Sequence, residues 1–220
     1  MSGTGIAAAA RRAGPVAGVL ALGSMLALGV GSCGLLGPSP AVSREQALTR
    51  PETPFAERAI TVQVRADAEL NPTAAQSHTV VVGVLQAQEA DALRQLADQP
   101  DRIEQLLAGT PAGPEVLHLA RFVVQPAQRC VLQVDRVQKA RAVALGVGYA
   151  QRAAGPALRV FDIPLQLQSR GWPRRSYSAA TGTLRLRLRL GAREVLDAVA
   201  TPQAPDPAEP RCMRLQDFAG

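Results

Sequence analysis

The sequence predicts a mainly β domain, a β-sandwich of about seven or eight short strands with a short helical insertion after the second strand. Three observations predict it. Short apolar runs, many rich in valine, recur between residues 59 and 200 and are separated by Pro, Gly and Asn. Leu184–Leu190 alternates strictly between leucine and arginine, and a strand period of two puts Leu184, Leu186, Leu188 and Leu190 on one face. Between the second and third runs, Gln86–Leu107 turns rich in Ala, Leu, Gln and Glu, with Ala92, Leu93, Leu96, Ile103, Leu106 and Leu107 at helical spacing.

Taken in order, Ile60–Ala66 alternates around Val62 and Val64, and Thr79–Leu85 is a valine-rich run. A turn at Leu70-Asn71-Pro72 and a polar loop to Ser77 separate them. Pro100 divides the helical stretch into two short helices, the second beginning near Asp98 and ending at Gly109. Strand signals return at Val116–Val124, Cys130–Val134 and Val143–Tyr149, with a turn at Pro126-Ala127. Val160–Leu167 is a further run, bent or pushed to an edge by Pro164. Gln168–Thr181 reads as a loop, Glu194–Ala200 as a strand or a helical turn, and Thr201–Pro210 as irregular.

The N-terminus carries a different signal. Arg11 and Arg12 precede an apolar run, Val16–Val30, that contains three glycines. The run suits the core of a signal peptide. It is short of the roughly 20 apolar residues that span a bilayer. It ends in Leu28-Gly29-Val30-Gly31-Ser32-Cys33, which resembles the lipobox of bacterial lipoproteins. That resemblance implies cleavage after Ser32 and lipidation of Cys33, with acyl chains on the thiol and on the new N-terminus. Gly34 stands where an inner-membrane retention Asp is found in enterobacterial lipoproteins, so the same resemblance implies sorting to the outer membrane. Residues 33–58, with Pro38, Pro40, Pro51 and Pro54, read as a flexible tether, residues 59–200 as the sandwich and 201–220 as a tail.

Removing residues 1–32 from the 220 leaves 188, enough for one domain with a real core. The net charge of +6 falls to +4 without the two arginines of that segment. The basic balance is almost wholly arginine, and an exported chain rarely meets nucleic acid, so no nucleic-acid partner is expected. Cys130 and Cys212 remain beside Cys33. In an oxidising compartment an even pair points to a disulfide, although two buried thiols fit the sequence as well.

The order of parts resembles the TssJ family of outer-membrane lipoproteins of type VI secretion. In that family a first strand, an LNP stretch, a loop, a valine-rich strand and a short helical insertion follow one another. Ala59–Ala66, Leu70-Asn71-Pro72, Thr79–Leu85 and Ala87–Gly109 are similar. Phe122–Pro126, Arg129–Val134 and Ala142–Ala150 continue the likeness. The chain departs from the family at Thr73, at Ser77-His78 and at Pro126-Ala127, and its region after residue 165 is longer. The resemblance implies a transthyretin-like sandwich with added helices and a structural role. The protein would anchor the trans-envelope complex by binding the periplasmic domain of TssM. The loop between the first two strands, Asn71, Pro72, Thr73, Ser77 and His78 here, would make that contact.

Catalysis finds little support. His78 ends a loop and His118 lies within a strand run, and no nucleophile elbow, phosphate loop or paired metal-ligand spacing is present. Gly146-Val147-Gly148 lacks a third glycine and a following helix, so tight strand packing accounts for it better than a dinucleotide. No metal, cofactor or small-molecule substrate is therefore expected. Two other features stand out. Arg185, Arg187 and Arg189 form the wet face of a strand or a contact for an acidic partner or anionic lipid. Trp172, Arg174, Arg175 and Tyr177 are residue types that dominate interface hot spots, though Trp172 could equally tuck into the core. The expectation is that this segment and Asn71–His78 form one partner surface at one end of the sandwich. Competing roles are another envelope-assembly lipoprotein of the pilotin kind and an extracytoplasmic ligand-binding or hydrolytic lipoprotein.

Overall fold

A computed structural model describes residues 41–151 and 155–215; the signal segment and Cys33 lie outside the described residues. Strand β1 (Ala56–Ala66) pairs antiparallel with β4 (Arg129–Arg136) on one side and parallel with β9 (Leu184–Leu190) on the other. β10 (Val195–Ala200) adds to β9 and completes a four-stranded sheet in the order β10-β9-β1-β4. The second sheet runs β11-β3-β2-β5-β6, from β2 (Val80–Ala87), β3 (His118–Val124), β5 (Ala142–Gly148), β6 (Leu158–Asp162) and β11 (Met213–Leu215). β7 (Leu165–Arg170) and β8 (Ser176–Thr181) form a separate hairpin between β6 and β9.

The two sheets pack face to face. Ile60, Val62 and Val64 of β1, Leu132 of β4 and all four leucines of β9 share a core with Val82 and Val84 of β2, Phe122 of β3 and Leu145 of β5. Each fully buried leucine contributes about 2 kcal/mol of apolar transfer. The strict alternation of β9 follows from this, because its arginine face is open to water while its leucine face meets the core.

β2 and β5 lack such alternation because both of their faces are covered. Their outer face packs against α2 (Ala90–Ala97) and α3 (Pro100–Ala108) through Leu93, Leu96, Ile103, Leu106 and Leu107. Pro100 opens α3 at its first turn, where its missing N–H costs nothing, and Gly109 closes it at φ 114°. Gly83 and Gly146 face one another across β2 and β5. A Cβ at Gly83 would lie 2.5 Å from Leu107 Cδ2, and one at Gly146 2.8 Å from Leu158 Cδ2. Close approach to β6 is the physical use of Gly146, and close approach to α3 that of Gly83.

The mainly β sandwich with a helical insertion after the second strand is the architecture expected, but eleven strands are found among the described residues instead of seven or eight. Three differences account for the change. Pro164 ends one strand and starts another, so Val160–Leu167 becomes β6 and β7. Gln168–Thr181 is not a loop but most of the β7–β8 hairpin, turned at Gly171 with φ 93°. The tail is drawn into the fold: Cys212 is bonded to Cys130 with Cα atoms 5.1 Å apart, and β11 pairs with β3. In the chain-entropy model a bridge closing a loop of this length adds about 4 kcal/mol.

The segment expected to be a tether is also packed where it is described. α1 (Arg44–Thr49) lies on β8 with Ala47 buried. Ser43 Oγ accepts the Gln46 N–H at 3.1 Å, and Gln46 Oε1 accepts the Ser43 N–H at 3.0 Å. This reciprocal capping box and the contact with β8 hold a helix too short to persist alone.

Candidate functional site

The parallel pairing of β1 and β9 decides which loops can share a surface. Ile60 lies opposite Leu184 and Ala66 opposite Leu190. The loop Leu70–Thr79 follows β1 and therefore sits at the Ala66 end. The β7–β8 hairpin precedes β9 and therefore sits at the Ala56 end, where Thr181 N–H donates to Glu52 O at 3.0 Å. Seven residues of strand, about 20 Å, separate the two ends. The expectation of one surface shared by Asn71–His78 and Trp172–Tyr177 is thus overturned: a parallel neighbour puts the residues before one strand opposite the residues after the other.

At the Ala66 end the loop is built on Asn71, which is buried and holds φ 50°. Its Nδ2 donates to Thr79 O at 3.1 Å, and its Oδ1 accepts the Ala150 N–H at 2.8 Å. Its own N–H donates to Ala192 O at 2.8 Å. One residue thus ties the loop to the segment after β5 through its side chain and to the segment after β9 through its backbone N–H. Asn71 is a clamp and not an exposed contact residue. Pro72 is half-buried, while Thr73, Ser77 and His78 are exposed.

Thr73 and Gln76 exchange backbone hydrogen bonds at 2.9 and 3.1 Å around Ala74 and Ala75, whose φ values are 50° and 63°. Two successive left-handed residues define a type I′ turn, a conformation that favours Asn-Gly over Ala-Ala. Tyr149 stiffens the same end: its hydroxyl donates to Glu194 O at 2.9 Å. Burial, then the charges of Asp67 and Glu194, push the Tyr149 phenol above its ordinary range.

On the outer face of the first sheet, Arg129, Arg65 and Arg189 stand side by side across β4, β1 and β9. With Arg187, Asp67 and Asp197 they line a shallow recess of about 410 Å³. Arg187 reaches Asp197 at 3.6 Å, while Arg185 is half-buried. The alternating row of β9 is therefore one edge of a wider basic patch, which cross-strand register assembled from residues distant in sequence.

At the Ala56 end Trp172 is 90% exposed, which removes the core alternative for it. Arg174 and Arg175 are exposed beside it, and Tyr177 is half-buried. An open groove of about 620 Å³ runs between α1 and β8, lined by Val42, Arg50, Glu52, Tyr177 and their neighbours.

Sequence reasoning missed two buried polar residues at this end. Arg136 donates to Pro54 O, Thr181 O and Gly182 O, joining the segment before β1 to the base of the hairpin, and burial lowers its pKa. Gln86 donates to Asp135 O at 2.8 Å and accepts the Val137 N–H at 3.0 Å. Nothing in their composition marks them, because both residue types are ordinarily exposed.

The two histidines lie at opposite ends of the second sheet: Gln86 pairs with His118, whereas His78 precedes Val80, which pairs with Val124. Among the described residues no group of three His, Cys, Asp or Glu side chains could hold a metal ion, and no helix is long and apolar enough to cross a membrane.

These features define a mainly β sandwich whose surface chemistry lies in its end loops and a basic patch. The family model T6SS-SciN, described as type VI secretion lipoprotein, VasD, EvfM, TssJ, matches residues 58–192. The chain belongs to this family of type VI secretion lipoproteins. Solved structures similar to it include the lipoprotein TssJ1 of Pseudomonas aeruginosa, at 16% identity over 69% of this chain and 99% of that one, with a TM-score of 0.44. The Serratia marcescens Lip, described as a membrane-bound component of the type VI secretion system, is similar at 14% identity over 64% and 96%, with a TM-score of 0.44. The TssM C-terminal domain from EAEC is similar at 11% identity over 66% and 98%, with a TM-score of 0.43. No curated protein matches the chain at the sequence level.

Proposed function

We propose that this chain anchors the type VI secretion membrane complex at the outer membrane. Lipid on Cys33 holds one end, and the loop Leu70–Thr79 at the other end binds the periplasmic domain of TssM. The observation that carries the reading is the separation of the two ends. The segment that follows Cys33 enters the fold at the Ala56 end, with Val42 beside β8, while the clamped β1–β2 loop sits about 20 Å away. A protein tethered at one pole has its opposite pole free to receive a partner. The basic patch of Arg65, Arg129, Arg187 and Arg189 lies toward the same pole as that loop and favours an acidic surface on the partner.

The role asks for rigid display and not for chemistry. Thr73, Ser77 and His78 offer hydrogen-bonding groups on a turn whose geometry is set before binding, which reduces the entropy lost on association. The test is capture of the TssM periplasmic domain by the full chain. Thr73→Ala/Ser77→Ala/His78→Ala should lose most of the capture while keeping the fold. Wild-type capture by that variant would refute the assignment of the loop.

A further inference from the structure

We propose that the β7–β8 hairpin is a second membrane contact, one that lays Trp172 into the headgroup region of an anionic bilayer while its arginines meet lipid phosphates. The inference deepens the anchoring role of Cys33 and rests on it.

The hairpin has the composition of an interfacial element. Trp172 is the only tryptophan in the chain, and it stands at the hairpin tip with 90% of its surface open. Indole rings favour the zone where hydrocarbon gives way to headgroups, since one edge is apolar and the N–H still finds an acceptor. Arg170, Arg174 and Arg175 flank it, and residues 164–181 carry no acid at all. Clustered arginines close to an anionic leaflet gain from its negative surface potential.

Placement selects the bilayer as the occupant. Val42 is strapped to the hairpin near its tip: its N–H donates to Ser176 Oγ at 3.2 Å, and its carbonyl accepts the Tyr177 N–H at 3.0 Å. Nine residue steps from Cys33 to Val42 span at most about 30 Å. A lipidated Cys33 therefore keeps the hairpin within that distance of the membrane. At so short a tether, a contact too weak to hold a free domain becomes populated, because it is intramolecular. The proposed TssM-binding loop lies at the opposite pole and does not compete for this surface.

The single tryptophan makes the contact directly readable. The full lipidated chain is placed in vesicles of phosphatidylglycerol and, separately, of phosphatidylcholine, and flotation and Trp172 emission are recorded together. The expected result is flotation with both. With phosphatidylglycerol, the emission shifts to shorter wavelength and is quenched by brominated acyl chains. Arg170→Glu/Arg174→Glu/Arg175→Glu should still float, but with water-like emission and no quenching. Flotation of the wild type with unshifted, unquenched emission overturns the hairpin contact and leaves lipid anchoring standing. Absence of flotation overturns the anchoring, and this inference with it. An emission shift that appears only on adding the TssM periplasmic domain assigns the hairpin to protein and overturns the membrane contact.

Discussion

Asn71 Oδ1 accepts the backbone N–H of Ala150 at 2.8 Å, and through this bond the loop after β1 is fixed to the segment after β5 in the other sheet. The same side chain reaches Thr79 O and so closes the loop on itself. Asn71→Ala removes both bonds and places alanine at a left-handed φ. Unfolding in urea should show a loss of about 2–3 kcal/mol, from the orphaned backbone groups and the strained backbone. Capture of TssM should weaken as well, because the loop loses its fixed shape.

Ala74 and Ala75 adopt positive φ without the residue types that favour it. Replacing them by Asn and Gly supplies the preferred chemistry of a type I′ turn. Stability should rise by about 1 kcal/mol, read as a higher urea midpoint at unchanged slope. A fall in midpoint would mean that the alanine methyl groups make contacts worth more than the strain.

Arg65 is flanked in register by Arg129 and Arg189, and like charges directly opposite one another across strands are unfavourable. Arg65→Gln should therefore stabilise the isolated protein by about 0.5 kcal/mol at low salt, with the gain shrinking as salt rises. The same change should weaken capture of the partner. Opposite signs for stability and binding distinguish a patch kept for a partner from one that is merely solvated.

Tyr149 carries its raised pKa only in the folded state. Below its unfolded value, near 10, the phenol is neutral in both states and its contribution to stability is fully present. Above that value the unfolded chain ionises first, so stability falls as pH rises. Tyr149→Phe should cost about 1 kcal/mol at neutral pH for the lost bond to Glu194 and should flatten the decline above about pH 10. Thermal unfolding of both proteins across the alkaline range tests this.

The parts of the fold written in local pattern were legible. The Leu-Arg alternation marks β9, Pro100 and Gly109 bracket α3, and the valine run marks β2. What escaped was set by contacts between distant residues. The parallel partnership of β1 with β9 has no local signature, yet it alone sends the two candidate loops to opposite poles. The β7–β8 hairpin escaped because β7 is exposed along its whole length and β8, half-buried under α1, is built of Ser, Tyr, Ala and Thr, so no apolar run announces the pair. Arg136 looks like any surface arginine until three backbone carbonyls converge on it. In the candidate site, Asn71 was found for its turn propensity, but its part as a clamp depends on Ala150, 79 residues away.

The measurement that bears most directly on the two-pole account is one quantitative capture experiment with the TssM periplasmic domain and two variants of the full chain. One carries Thr73→Ala/Ser77→Ala/His78→Ala, and the other Arg170→Glu/Arg174→Glu/Arg175→Glu. The account predicts that the first loses capture and the second retains it at the wild-type level. Capture lost by the hairpin variant and retained by the loop variant would contradict it.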